Sequence, residues 1–366
     1  MSSNIKIERE LLTKPGDTIL ETIEYLKMSQ AELADRMGKT PGKINDLISG
    51  KAPITINTAL QLEKVLGIDM QFWLNREMHY REKLARLEQE EFLEQCLDWL
   101  KEQPIKELQK FGYLKSSSVG TGMVEECLQF YGVVSPVEWE NVYIENYAQT
   151  SFRKSPSHKT LLSSMAAWLR IGELKLRKQQ FPEYKKDSFK NVLQEIKTLV
   201  ETQPEDFPTT LQAMCQQAGV AVIYSNTLPK APISGAARWV GGTPLIQITD
   251  RYKTNDHFWF TFYHEAGHIL LHGKKDIFIE EFEGVENDTE KEREANDFAR
   301  DWLLPDTFLA EIDNQSVDEK AVRRIARNYA THPAIVIGRL QNLNMVPHYF
   351  GANLKVKINL DYFIEH

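Results

Sequence analysis

Cysteine is scarce in this chain of 366 residues: Cys96, Cys127 and Cys215 are far apart, odd in number and without the spacing of metal ligands. A disulfide framework and a thiolate metal cluster are therefore not expected. No run of about 18 apolar residues is present and mean hydropathy is −0.42, so no transmembrane span and no membrane partner are expected. The opening residues, MSSNIKIERE, lack the apolar stretch of a signal peptide, and a cytoplasmic location is expected. Internal repeats, Gly-rich phosphate loops and local signatures of a serine or cysteine nucleophile are likewise missing. Positive charge is short as well. A balance of 44 Lys and Arg against 52 Asp and Glu gives −8, which argues against a general nucleic-acid coat protein but not against a local basic surface that binds DNA. What remains is an ordinary globular composition, 42% apolar and 26% charged, long enough for about two or three domains with cores of their own.

The stretch richest in chemistry is FWFTFYHEAGHILLH, Phe258 to His272, an apolar helical run that carries His264, Glu265 and His268 in the order H-E-x-x-H. Residues four apart share one face of a helix, so the imidazoles of His264 and His268 can converge on one metal ion while Glu265 stands beside it. Zinc held by few protein ligands keeps a position open for water, lowers that water's pKa toward about 7 and polarises a carbonyl, while the adjacent carboxylate takes the proton. His272 repeats the spacing but is excluded from the same ion. At about 1.5 Å per residue it lies about 12 Å along the helix from His264, whereas zinc ligands sit about 2 Å from the metal. It reads instead as part of the last turn, with Gly273 as the stop.

A third ligand must come from elsewhere. The next helical pattern, TEKEREANDFARDWLL from Thr289 to Leu304, offers Glu290, Glu292 and Glu294. Glu292 shares its stripe with Ala295, Asn296, Ala299 and Leu303, largely the apolar face, whereas Glu294 shares one with Asp297 and Asp301 and reads as solvated. Glu292 is the candidate, although Thr289-x-x-Glu292 also reads as a capping box that would turn this carboxylate back to the helix start. HEAGH followed by EREANDFARDWLLP resembles the ImmA/IrrE family of metallopeptidases, over roughly Phe207 to the C-terminus. The resemblance implies that the first glutamate of an E-x-[EQ]-A-[ND]-x-F-A pattern, here Glu292, completes a zinc site. It also implies a small sheet packed on the active-site helix, as in thermolysin-like (gluzincin) enzymes.

Residues 15 to 80 read as a run of short helices. Ser29-Gln30-Ala31-Glu32 is a capping box opening a helix that Gly38 stops. Thr40-Pro41 gives an N-cap and a first-turn proline to the next, which ends at Gly50, and a third runs from Asn57 to Leu66 with Gly67 after it. Helix, short turn, helix is a candidate helix-turn-helix, whose second helix enters the major groove by its N-terminal residues. The segment from Pro15 to Leu74, with its GKAPIT and FWL, resembles the HigA-type (XRE-like) antitoxin repressors. That resemblance implies binding of operator double-stranded DNA as a homodimer, beside the gene of a cognate toxin. Carried over by position, the DNA-facing residues are Gln30, Thr40, Lys43 and Asn45, with Lys51 near a phosphate. Pro41-Gly42 departs from the polar residues usual at that place, which puts the operator sequence in doubt.

From Asp69 to about Gln103 one long charged helix is expected, closed by Pro104 and lacking a strict heptad. Ser116 to Ser118 with Gly120 and Gly122 is the most loop-like connector, and residues 123 to 200 continue helical. Arg153, Lys154 and Lys159 read as a solvated basic face, as do Arg323, Arg324 and Arg327 further on. After Pro208 a helix is followed by the short β-rich runs VAVIY, ISGAARWV and LIQIT around Gly241-Gly242, and such a sheet edge can accept a substrate strand.

The fold class expected is mainly α with a small β-sheet: a helix-turn-helix bundle at 1–80, a helical middle region at 81–204 and an α+β metallopeptidase domain at 205–366. The function expected is that of a DNA-binding regulator and antitoxin fused to a zinc metalloendopeptidase that cleaves a regulatory protein. Zinc would sit on His264, His268 and Glu292 with Glu265 as general base, and Tyr263, Arg251 and His332 are candidates for an oxyanion donor. The alternative is a non-catalytic autorepressor and toxin-binding antitoxin whose metal-binding domain is a sensor or scaffold.

Overall fold

The structure is a computed structural model that describes residues 3–145, 159–229, 231, 233–251, 253–274, 278–279, 289–312 and 317–363. Arg153 and Lys154 of the expected basic face lie outside these residues. The chain forms two compact units, residues 1–101 with 116–125 and residues 102–115 with 126–366. No helix among the described residues is long and apolar enough to cross a membrane.

In the first unit the helices are α1 (Ser3–Glu10), α2 (Pro15–Tyr25), α3 (Gln30–Met37), α4 (Pro41–Ile48), α5 (Ile56–Leu66) and α6 (Met70–Gln95). The local signals place them. Ser29 Oγ accepts from Glu32 N at 3.1 Å and Thr40 Oγ1 from Lys43 N at 3.4 Å, while Gly38 and Gly67 take the left-handed conformation after α3 and α5. The expected capping box is half made, because the Glu32 carboxylate pairs with Arg36 at 2.6 Å instead of turning back. Apolar faces of α2 to α5 converge on a core of Ile19, Leu33, Ile44, Leu47 and Leu62, closed by the fully buried Trp73 of α6. Gly16 lets α2 cross α4 closely: a Cβ there would lie 2.0 Å from the Ile48 carbonyl oxygen. The long helix expected to reach Gln103 stops at Gln95. A 3-10 segment, Leu97–Glu102, follows, and its tighter winding buries the adjacent Trp99 and Leu100.

Beyond residue 101 come α7 (Ile105–Lys110), α8 (Thr121–Tyr131), α9 (Pro136–Trp139), α10 (Lys159–Leu176), α11 (Lys186–Thr202) and α12 (Phe207–Gln217). The expected connector ends at Gly120, since Gly122 is already in α8. Among the described residues four strands follow, β1 (Ala221–Tyr224), β2 (Gly235–Val240), β3 (Thr243–Ile248) and the two-residue β4 (Phe278–Ile279), interleaved with α13 (Asn255–Leu271). The chain then adds α14 (Thr289–Leu303), α15 (Glu319–Asn328) and α16 (Pro333–Asn342). Strand order is β1-β3-β2-β4, with β1 parallel to β3 and β2 antiparallel to both neighbours. Gly241 and Gly242, at φ 57° and 89°, make the tight β2–β3 turn, a conformation costly for other residues.

Alternation along the strands builds two layers. Val222, Ala237, Ile246 and Ile248 face the main core with α13, whereas Ala221, Ile223 and Leu245 face Leu176 of α10. On the α10 side the buried Gln247 and Arg238 donate to the carbonyls of Trp168 and Leu169 at 2.7 and 2.6 Å. Phe189, Leu193, Ile196 and Val200 of α11 enter the main core, as do Val322 and Ile325 of α15. Arg323, Arg324 and Arg327 lie on the exposed face of α15, consistent with a solvated basic stripe on an amphipathic helix.

Candidate functional site

Helix α13 is wrapped by the sheet on one side and α14 on the other, and all but three of its residues are buried. It ends at Leu271, a residue earlier than expected: His272 is the cap, extended, with its N–H still bonded to His268 O at 3.1 Å, and Gly273 does not take the left-handed form of a glycine stop. Close approach to α14 is possible because both helices are lean at the crossing: a Cβ on Gly267 would meet Ala295 Cα at 3.3 Å and the Phe298 side chain at 3.2 Å.

That crossing brings His264, His268 and Glu292 together. His264 Nε2 and His268 Nε2 are 3.0 Å apart, and the Glu292 carboxylate lies 3.2 Å from the first and 3.6 Å from the second. Ligand atoms about 2.05 Å from a tetrahedral zinc stand roughly 3.3 Å from one another, so the three spacings and the donor set suit such an ion. Burial favours neutral imidazole and pushes the His268 pKa down to about 4 against the opposing pull of Glu292. Burial also works against an ionised Glu292, but hydrogen bonds from His264 and His268 overcome it and hold that carboxyl down at about 2. Neutral imidazole and ionised carboxylate are the forms a metal requires.

Outer contacts fix both rings. His264 Nδ1 is 3.0 Å from Asn296 Oδ1, and the ring of His264 stacks on Phe260. The His268 ring lies flat on Phe278 of β4, centroids 3.9 Å apart, with its Nδ1 2.9 Å from His272 Nδ1. His272 Nε2 in turn meets Glu294 Oε2 at 3.0 Å. Glu265 is fully buried and its carboxylate lies against β2, where a Cβ on Gly235 would come within 2.8 Å of its Oε1. A cleft of about 670 Å³ opens from His264 and Glu292 along Phe260 and Asp256 of α13, with Ile335 and Arg339 of α16 opposite. Its volume is that of a small-molecule or peptide side-chain site.

Among the residues the sequence singles out, His272 stays off the three-atom cluster and Glu294 is half exposed. Two oxyanion candidates are turned elsewhere: Tyr263 is buried with its hydroxyl donating to Leu193 O at 2.9 Å, and His332 accepts from Ala334 N as the cap of α16. Arg251 does not line the cleft. Cys127 and Cys215 are buried with their thiols pushed up by desolvation, so neither offers a thiolate. Sequence reasoning missed Asn296, Phe278 and Gly235. Asn296 alone left a signal, a polar residue on the otherwise apolar stripe four positions after Glu292. In the first unit Gln30, Thr40, Lys43, Asn45 and Lys51 are all exposed, Gln30 opening α3 and Thr40 and Lys43 standing at the start of α4. Lys51 follows α4.

Comparison with known proteins agrees with both units. A family model described as helix-turn-helix matches residues 24–73, and one described as the IrrE N-terminal-like domain, of the M78 peptidases, matches residues 215–340. The HTH-type transcriptional regulator YddM of Escherichia coli (strain K12) is 39% identical over 62 residues, 17% of this chain and 66% of that protein. Virulence-associated protein I of Dichelobacter nodosus is 38% identical over 74 residues, 19% of this chain and 67% of that protein. An addiction module antidote protein of a HigA family from Coxiella burnetii is similar at 27% identity, covering 27% of this chain and 92% of that one, with a TM-score of 0.20. The chain thus spans about two thirds of the curated relatives it matches, and they span less than a fifth of it. It carries an XRE-like helix-turn-helix domain at its N-terminus and an IrrE-like M78 peptidase domain at its C-terminus.

Proposed function

We propose that this protein is a cytoplasmic DNA-binding regulator of the antitoxin type whose second domain is a zinc-dependent endopeptidase acting on a regulatory protein. The observation that carries the enzymatic half is the cluster of two imidazole nitrogens and a carboxylate spaced 3.0 to 3.6 Å, with buried Glu265 on the same helix. Zinc bound to His264, His268 and Glu292 would supply Lewis acidity, making a water more acidic and a peptide carbonyl more electrophilic. Glu265 would take the proton of that water and pass it to the leaving amine. The cleft beside Phe260 would hold the substrate chain, and Asn296 would keep His264 turned to the site. Metal analysis of protein purified without chelator is the test. About one zinc per chain is expected in wild type and in Glu265→Gln, and a marked loss in His264→Ala/His268→Ala. Glu265→Gln should also abolish hydrolysis of a peptide library; hydrolysis unchanged in that variant would exclude Glu265 as base. Full metal without hydrolysis in wild type would instead favour the non-catalytic sensor or scaffold.

The regulatory half is supported by the capped helix-turn-helix and by the exposure of Thr40, Lys43 and Asn45 at and near the start of α4. Bound as a homodimer to its own operator, the protein would repress a promoter shared with a toxin gene. The full chain should retard that promoter fragment with salt-dependent affinity, and Lys43→Ala/Asn45→Ala should weaken binding by about 10-fold or more. Equal affinity for unrelated DNA would rule out an operator role.

A further inference from the structure

Helix α13 carries a third histidine in step with the first two, and what it does can be read from its neighbours. The ring of His268 lies flat on Phe278, centroids 3.9 Å apart at an interplanar angle of 13°. Stacking fixes the plane of an imidazole but not which way round it lies, because a half turn exchanges Nδ1 with Cδ2 and Nε2 with Cε1 at almost constant shape. Polar partners distinguish the two: His264 and Glu292 face Nε2, and on the outer side His272 Nδ1 lies 2.9 Å from His268 Nδ1. The contact also decides the tautomer. For Nε2 of His268 to face His264 and Glu292 with a lone pair, its proton must sit on Nδ1 and His272 Nδ1 must accept it. His272, accepting at Nδ1, then carries its own proton on Nε2, where the acceptor is Glu294 Oε2 at 3.0 Å. Donor and acceptor alternate without conflict from Glu294 to the face of His268 that meets Glu292. His264 reaches the same end in one step, through Asn296. One helix, α14, therefore supplies the third ligand and the outer support of both imidazoles.

We propose that Glu294 and His272 form a positioning relay that sets the ring orientation and tautomer of His268, and so sets how long the site retains its ion. It rests on the metal reading of His264, His268 and Glu292. The competing role is a plain clamp that ties the end of α13 to α14, and it makes different predictions. His272→Phe keeps a ring beside Phe278 and removes both nitrogens, while His272→Gln restores an acceptor oxygen and a donor amide at nearly the same separation. Glu294→Leu probes the relay from its half-exposed end, where loss of folding is not a concern.

The full-length chain, loaded with zinc, is challenged with a chromogenic chelator, and the cobalt-substituted form is followed by its visible spectrum. Outer-shell changes commonly cost about 10- to 100-fold in metal affinity. His272→Phe should release metal faster by that factor and shift the cobalt bands, His272→Gln should return to near wild type, and Glu294→Leu should move in the same direction by a smaller factor. Thermal unfolding of the metal-free variants should change little. Wild-type release and spectrum in both His272→Phe and Glu294→Leu would overturn the relay. So would losses that track the unfolding temperature of the metal-free protein without rescue by His272→Gln, since that is the clamp. A wild-type chain that takes up neither zinc nor cobalt would instead overturn the metal reading, and the relay with it.

Discussion

Gly235 offers the sharpest perturbation of the site that leaves its ligands alone. It opens β2 directly opposite α13, and a Cβ there would lie 2.6 Å from Thr261 Cγ2, 2.8 Å from Glu265 Oε1 and 3.1 Å from Glu265 Cγ. None of these can yield cheaply. Glu265 is fully buried and Thr261 is held on the helix face, so β2 must move outward or the carboxylate must turn aside. Overpacking of this kind costs about 1–3 kcal/mol, which in a unit of this size lowers the melting temperature by on the order of 5 °C. Displacing a general base by about 1 Å costs about 100-fold in rate. On the proposed function, Gly235→Ala should therefore still bind zinc, melt a few degrees early and lose most of its hydrolysis. Gly172→Ala is the control: its Cβ would come 2.0 Å from Gln247 Oε1 on the opposite face of the sheet, so it should cost stability while each folded molecule stays active. Metal content, thermal melts and peptide hydrolysis per folded chain separate the two variants. Equal activity losses in both, or none in Gly235→Ala, would refute the idea that β2 seats the carboxylate of Glu265.

Two further outcomes are expected. Lys355 Nζ lies 2.6 Å from Asp256 Oδ2 and donates to Gln341 at 2.9 Å, with the Asp256 side chain only 6% exposed; Lys355→Ala leaves that carboxylate its Thr254 hydrogen bond but no ammonium and should cost up to about 3–5 kcal/mol in chemical denaturation, and a loss below about 1 kcal/mol would show the pair to be well hydrated. In the metal-free chain His268 titrates near 4 when folded against an ordinary 6.5, so the unfolded state binds more protons between those values and stability is complete above about pH 6.5 and falls as pH drops toward 4. Denaturation series from pH 8 to pH 4 should show this slope, and His268→Gln should flatten it.

What could be read from the sequence follows the range of the interactions. His264, Glu265 and His268 are set by the pitch of one helix, and Ser29, Gly38, Thr40 and Gly67 act within a few residues of themselves, so their placement is local geometry. Glu292 was reachable because an acid on an apolar stripe needs a buried partner. Glu32 does not complete the expected capping box because Arg36, four positions on, competes for its carboxylate. The contacts that finish the site cross between elements distant in sequence: Phe278 on His268, Glu294 on His272, Gly235 under Glu265. No periodicity encodes those. The same holds for α10 and α11, whose texture matches the helical middle region although their side chains pack on the sheet and in the core around α13.

The contacts of the two imidazoles carry a further consequence. Asn296 Oδ1 can only accept, so with an ion at its Nε2 His264 would keep its proton on Nδ1, and the His272–Glu294 pair would ask the same of His268. With both protons so committed, two nitrogen lone pairs 3.0 Å apart and an ionised carboxylate would face one point inside a buried helix crossing. Without an ion, that set repels itself unless a proton on Nε2 stands between an imidazole and Glu292, and burial, which drives His268 toward the neutral form, limits how many protons can serve. The proposed divalent ion would meet the same need without a proton on either Nε2. On the proposed metal reading, the groups on α14 that orient the two imidazoles would also raise the cost of leaving the site without a cation and so tie the folding of the α13–α14 crossing to metal uptake.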